Sequence, residues 1–325
     1  MKKFAFLLLS VSLLAVSCSS SDDGPAQSEK IDVSRRAYVT IDGKHLTVRQ
    51  DLTRGGAISY IARTGTTNSI VNIADEGRYI QQSYYAGNRV DRRSEGQGYS
   101  WSPWNWNPIQ VGDYKRNRAQ ILEATLEGNT TYVKCVPMLW DMNNRPAEAV
   151  MEQWTTLDGT TIHVRNRLTC NRTDDIYGEG VMSDQEIPAV YPISSLKNLY
   201  CYNGDAPFSG DELSQLKVVQ LTMNTDGGGG TWGRYNDISE QWMAFVDDSR
   251  WGMAVYSPTA TSFLAGRSDS NTTGNSKSPS TSYIAPLRRE ALMKNSVMEY
   301  EYYLIVDDLE KIRQSIYKLH SADKI

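Results

Sequence analysis

A large two-sheet antiparallel β-sandwich closed by a short C-terminal helix is the fold this sequence predicts. Three observations carry it: alternating apolar and polar runs recur along residues 33–325, glycine-containing turns join many of them, and helical spacing is confined to one stretch near the end. Residues 37–52 (AYVTIDGKHLTVRQDL) are two alternating runs around Asp42-Gly43, a hairpin signature. The pattern returns at 119–140, turning at Gly128-Asn129, and at 149–169, turning at Asp158-Gly159. Further strands are read at 216–225, 241–258 and 296–308. The helix is read at 308–320, where Leu309, Ile312, Ile316 and Leu319 share one face. Roughly 15 or more short strands are most simply buried as two packed sheets. No low-complexity linker divides residues 33–325, so one domain is expected there. The Gly227–Gly230 run lacks a following Gly-Lys-Ser/Thr and reads as a loop rather than a phosphate cradle.

The first residues carry an address. Lys2 and Lys3 precede an apolar run from Phe4 to Val16, too short to span a bilayer. Ala15-Val16-Ser17-Cys18 resembles the lipobox of bacterial lipoproteins, and the Ser19–Asp23 run that follows resembles the export signal of Bacteroidetes surface lipoproteins. Residues 1–17 are thus expected to be a signal peptide, Cys18 the lipidated residue, and residues 18–32 a flexible tether. The expected location is the outer membrane, lipid-anchored and exposed at the cell surface. A secretory signal with a coincidental cysteine is the alternative. Removing residues 1–17 takes Lys2 and Lys3 with it and leaves 32 basic against 38 acidic side chains. With no basic stripe, nucleic acid is not an expected partner. Cys135, Cys170 and Cys201 have no metal-site spacing and read as mostly buried thiols, with room for one disulfide that spacing does not assign. No metal or cofactor is expected.

Several segments together carry a resemblance: GGAISYI (55–61), VNIADEGRYIQQSYYAG (71–87), QEIPAVY (185–191), FVDDSRWGMAVYSP (245–258) and MEYEYYLIVDD (298–308). Their order is similar to that of the galactose-mutarotase-like β-supersandwich proteins, which include aldose epimerases and domains of polysaccharide lyases and glycoside hydrolases. The resemblance implies a supersandwich acting on carbohydrate, with the Gly55-Gly56 strand turning inward beneath a sugar site. The chain departs from the epimerases, which use paired pocket histidines; here there are only His45, His163 and His320.

Three clusters have the chemistry of a sugar site, which pairs aromatic walls with a few aimed polar groups. The first, SWSPWNWNPIQVGD (100–113), reads as a loop because of Pro103 and Pro108, yet holds three of the chain's eight tryptophans. Trp104, Asn105, Trp106, Asn107 and Asp113 are its candidate sugar-binding residues; indoles folded down to plug the edge of the sandwich are the alternative. In the second, DEGRYIQQSYYAG (75–87), Arg78 and Gln81 are candidates to grip hydroxyls or a uronate, with Tyr84 and Tyr85 as walls. An Asp75–Arg78 ion pair fixing a turn is the competing reading there. In the third, VMSDQEIPAVYPI (181–193), Asp184 and Glu186 are two apart and so share one strand face. Two neighbouring carboxyls whose pKa values are driven apart suit general acid catalysis, and the apolar residues after Glu186 make it the preferred acid. Pro188 and Pro192 suggest that this segment runs at a sheet edge, where an acidic face guarding against aggregation is the other explanation. Glu240 is a candidate partner carboxylate from across the cleft. Glu152 and His163 are expected to pair with each other or with Arg165.

The leading expectation is therefore a surface-anchored glycoside hydrolase acting on a poly- or oligosaccharide. A non-catalytic glycan-binding lipoprotein and a polysaccharide lyase are the alternatives.

Overall fold

A computed structural model describes residues 29–220 and 233–322. The chain is nearly all β, in two large antiparallel sheets with one C-terminal helix, Leu309–Ala322. The expected signal peptide, Cys18, most of the expected tether and the Gly227–Gly230 run lie outside the described residues, as does the second half (221–225) of the strand expected at 216–225. Of its first half only Leu216 is in a strand, the short Ser214–Leu216, and residues 217–220 continue outside strands.

The hairpins fall where their turns place them. Tyr38–Asp42 pairs with Leu46–Asp51, Gln120–Glu127 with Thr130–Val136, and Ala149–Asp158 with Thr161–Cys170. The last of these hairpins continues into Val297–Asp308, which pairs on its other side with Trp251–Tyr256. The second sheet runs in the order Gly233–Tyr235, Ser262–Arg267, Ser282–Glu290, Ser183–Val190, Ile80–Ser83, Ala57–Arg63, Leu46–Asp51 and Tyr38–Asp42.

Strand parity explains both cores. In Trp242–Val246, Met243 and Phe245 enter the core between the sheets, while Trp242, Ala244 and Val246 face the helix. An uninterrupted apolar strand is what two buried faces require. The helix adds Leu309, Ile312 and Ile316 to that outer cluster, each burial worth about 1.5–3 kcal/mol. A helix of 14 residues is marginal in isolation, so this docking is what holds it.

Two glycines allow close packing against neighbouring strands and loops. Gly55 and Gly56 have φ of 63° and 75°, and a Cβ on Gly55 would lie 2.0 Å from the carbonyl oxygen of Gln110. Ser183–Val190 departs from expectation. Despite Pro188 it is an interior strand, flanked by Ser282–Glu290 and Ile80–Ser83. The ladder tolerates the proline because its register shifts on both sides just after Glu186, a bulge that needs no N–H there.

Candidate functional site

The bulge shapes the site. Ile187 and Val190 point into the core between the sheets, leaving Glu186 and Ala189 on the outer face, three residues apart instead of two. Over that face the segments around 75–78, 101–107, 114–116 and 140 enclose a cleft of about 550 Å³. Glu186, Ala189, Gln81 and Ser83 lie at its strand side, and Trp101, Trp104 and Trp140 form an indole wall. Trp101 packs edge-on against both Trp104 and Trp140, with centroids 5.3 Å apart in each case. Backbone bonds tie the wall together: Trp140 N donates to Asn107 O at 2.9 Å, and Tyr114 N to Trp140 O at 3.1 Å.

Glu186 is half-buried, and Tyr283 donates its hydroxyl to Oε1 at 2.5 Å. Burial pushes the Glu186 carboxyl above the ordinary glutamate value; hydrogen bonds from Tyr283 and Ser83 pull in the opposite direction and are outweighed. Tyr283 leans on Tyr191, ring centroids 4.8 Å apart. The phenols of Tyr85, Tyr191 and Tyr283 are all pushed far up, by burial first and by the Glu186 charge second. Asp75, Glu76 and Arg78 are held in close ion pairs, with Arg116 farther out. Asp75 Oδ2 meets Arg78 Nε at 2.9 Å, and Glu76 meets Arg54 at 2.8 Å and Arg116 at 3.6 Å.

The cleft thus gathers Arg78, Gln81, Trp104, Asn107 and Glu186 from the three sequence clusters. Arg78 is in the anticipated ion pair with Asp75, and Gln81 is spent on the backbone, donating to Glu76 O and Arg78 O and accepting from Val111 N. Asn107 is likewise committed, to Trp104 Nε1 and Tyr84 O.

The other candidates lie elsewhere. Trp104–Trp106 is a short strand rather than a loop, pairing with Ala86–Val90. Its alternation puts both indoles inward, but Trp106 is fully buried in the main core with Nε1 on Glu148, while Asn105 turns away and donates to Gly87 O. Tyr84 is also in that core, bonded to Gln82. Asp113 is wholly buried behind the cleft, accepting from the backbone of Lys115, Asn117 and Asn144. It organises the loop that carries Tyr114 and Arg116 to the cleft.

Asp184 does share Glu186's face, as a two-residue period dictates, but outside the cleft lining, with Arg234 at 2.5 Å and Arg289 at 3.7 Å. Glu240 is in the other layer, under the C-terminal helix, where Arg313, Tyr317, Trp242 and the Phe208 N–H all donate to it. His163 pairs with Glu301 at 2.8 Å and stacks on Tyr303, not with Glu152, which accepts from Tyr132. No histidine lines the cleft among the described residues. Cys135, Cys170 and Cys201 are buried free thiols, and burial pushes Cys135 and Cys201 up to about 12.

Sequence reasoning missed Trp140, Tyr114, Arg116, Tyr191 and Tyr283 as lining or supporting residues. Trp140 directly follows the short strand Met138–Leu139 and has Asp141 and Asn143 after it, a signal of a rim position; Tyr283, in a continuous apolar strand, has none.

No family model matches the chain, and no curated protein matches it in sequence. Among solved structures it is similar to a galactose mutarotase-like protein from Lactobacillus casei (8% identity, 83% of this chain and 99% of that one, TM-score 0.48). It is also similar to a galactose mutarotase related enzyme from Lactobacillus acidophilus (10% identity, 83% and 97%, TM-score 0.46). A putative aldose 1-epimerase from Klebsiella pneumoniae aligns at 11% identity over 86% and 83%, with a TM-score of 0.45. Such likeness concerns the course of the strands, and the functional reading rests on the cleft.

Proposed function

We propose that this protein is a carbohydrate-active surface lipoprotein, anchored through Cys18, whose cleft binds a sugar against its indoles and whose Glu186 donates the proton that releases a glycosidic oxygen. The observation that supports it is a desolvated carboxyl at the base of a tryptophan-walled cleft. A carboxyl whose proton is held above the usual range is suited to general acid work. Hydrolysis also needs a carboxylate to take a proton from the attacking water. Asp184 and Glu240 lie outside the cleft lining, so we assign that role to Asp75, kept beside Arg78 at 2.9 Å. In this scheme the Glu186 proton goes to the leaving oxygen, the water oxygen bonds to the anomeric carbon, and Asp75 receives the water proton.

One observation favours glycan binding without cleavage as a second reading: Asp75 and Glu76 are already engaged by arginines. A lyase is less well supported, because the cleft phenols are pushed away from the range in which they act as bases.

The test is a polysaccharide panel read for both binding and new reducing ends. Glu186→Gln should abolish cleavage while binding and fold persist; unchanged turnover removes Glu186 from the mechanism. Binding with no cleavage by the wild type selects the second reading. Fatty-acid labelling of the wild type but not of Cys18→Ala is the result expected of the anchor, and equal labelling refutes it.

A further inference from the structure

We infer that the cleft is built for a glycan bearing an anionic group, a carboxylate or a sulfate ester, gripped by Arg116. The inference rests on the reading that the cleft takes a sugar. Of the arginines lining the cleft, Arg116 is the one whose guanidinium is not committed to a hydrogen bond. Arg78 is consumed by Asp75, Asn72 and the carbonyl of Ser278. Glu76, its side chain only 8% exposed, is satisfied by Arg54 at 2.8 Å. Arg116 approaches Glu76 no closer than 3.6 Å, beyond hydrogen-bond range, and its side chain is 71% exposed. Among the described residues its guanidinium makes no hydrogen bond, so a planar fork of N–H donors faces the cleft mouth unspent.

The backbone is arranged to hold it there. Arg116 has φ of 73°, the left-handed region that a branched or long side chain enters at a cost in strain. The strained turn is fixed by Asp113, whose main-chain oxygen accepts from Arg116 N at 2.9 Å and whose buried carboxylate accepts from Lys115 N and Asn117 N, each at 2.9 Å. The same turn carries Tyr114 to the cleft lining. An arginine fork with no hydrogen bond, in a cleft that also carries a wall of indoles, fits an acidic ring stacked on one face and gripped at its edge.

Calorimetric titration of the full-length protein tests this with four probes: malto- and cello-oligosaccharides as neutral arms, oligogalacturonate as the carboxylate arm and a sulfated galactan oligosaccharide as the sulfate arm. The wild type should prefer an anionic arm, and the arm it prefers names the group. Arg116→Gln should weaken that arm on the order of tenfold more than the neutral ones, with Arg116→Lys between. The preference should shrink as salt rises. Equal affinity for neutral and anionic arms, or an anionic preference that Arg116→Gln leaves intact, overturns the proposal while the sugar reading stands. If no arm binds the wild type, both fall.

Discussion

The hydrogen bond from Tyr283 to Glu186 should set the pH at which the cleft carboxyl loses its proton. Burial raises the Glu186 pKa, and the Tyr283 donor, 2.5 Å away, restrains that rise by stabilising the anion. Tyr283→Phe removes the donor and leaves the ring, which is fully buried against Ala189, Ala285 and Leu287. A hydrogen bond to a charged group is worth about 1.5–3 kcal/mol, and Glu186 is only half-buried, which argues for the low end. At about 1.4 kcal/mol per unit, the carboxyl should then titrate about one unit higher than in the wild type. The assay is carbon-13 NMR of the glutamate carboxyls against pH, with Glu186→Gln identifying the signal. Stability gives a second reading. A folded pKa raised above the unfolded value means that the contribution of Glu186 is fully present below the unfolded pKa and is lost as pH rises through the folded one. The Tyr283→Phe variant should therefore lose more stability than the wild type on going from acid to neutral pH, and Glu186→Gln should abolish that part of the slope. A midpoint that stays put or moves down in Tyr283→Phe would refute the reasoning, because the hydroxyl would then not be supporting the anion.

The indoles should separate by layer. Trp106→Ala should cost about 3–5 kcal/mol in chemical denaturation, since the ring is fully buried and its N–H bond to Glu148 goes with it. Trp101→Ala, at a half-buried wall position, should leave the denaturation midpoint within about 1 kcal/mol of wild type while weakening glycan binding in titration calorimetry. Arg313→Ala should destabilise by about 3–5 kcal/mol, measured the same way, by stranding the buried Glu240 carboxylate 3.1 Å from where the guanidinium was. Asp113→Ala should speed amide exchange at Lys115, Asn117 and Asn144, which lose their acceptor, and lower affinity for glycan by releasing the Arg116 turn.

The sandwich was legible because its signals are local. Asp42-Gly43, Gly128-Asn129 and Asp158-Gly159 each sit between alternating runs, and a turn plus a period of two determines a hairpin without help from the rest of the chain. The cleft was half legible. Trp104 and Glu186 declared themselves by type and neighbourhood, and both line it. Trp106 carries the same local signal as Trp104, and only the depth of the partner sheet decides that one ring meets the cleft and the other the core. Pro188 misled for a specific reason: the rule that proline belongs at an edge assumes an unbroken ladder, and a bulge lifts that assumption. Tyr283 was invisible, since its contact with Glu186 joins positions 97 residues apart.

Glu186 and Glu240 show why residue type alone does not mark a site. Both are glutamates on or beside a strand, Glu240 fully buried and Glu186 half-buried. Glu240 receives four donors, one of them an arginine, so its environment is already complementary to a carboxylate. Such a group anchors the helix to the sheet and has no reason to exchange its proton. Glu186 has a phenol donor at 2.5 Å and, among the described residues, no lysine or arginine paired with it, while one side opens on the cleft. Burial shifts its balance toward the protonated form, and a reaction partner better served by the anion shifts it back. A leaving oxygen that gains negative charge as its bond to the anomeric carbon breaks takes that proton, and the positive charge growing on the anomeric centre is then better served by the Glu186 anion; a neutral bound sugar offers neither. Replacing Leu287, which pairs across the ladder with Glu186, by Lys or Arg would supply the missing cation only if that side chain reached the cleft. The direct route is Ser83→Lys, from the strand position paired with Glu186 and lining the cleft. If Glu186 acts as the acid, this substitution should lower its titration midpoint and shift the acid-requiring limb of any pH–rate profile downward, by the same amount in both measurements. A midpoint that falls while the rate profile stays where it was would detach Glu186 from the chemistry.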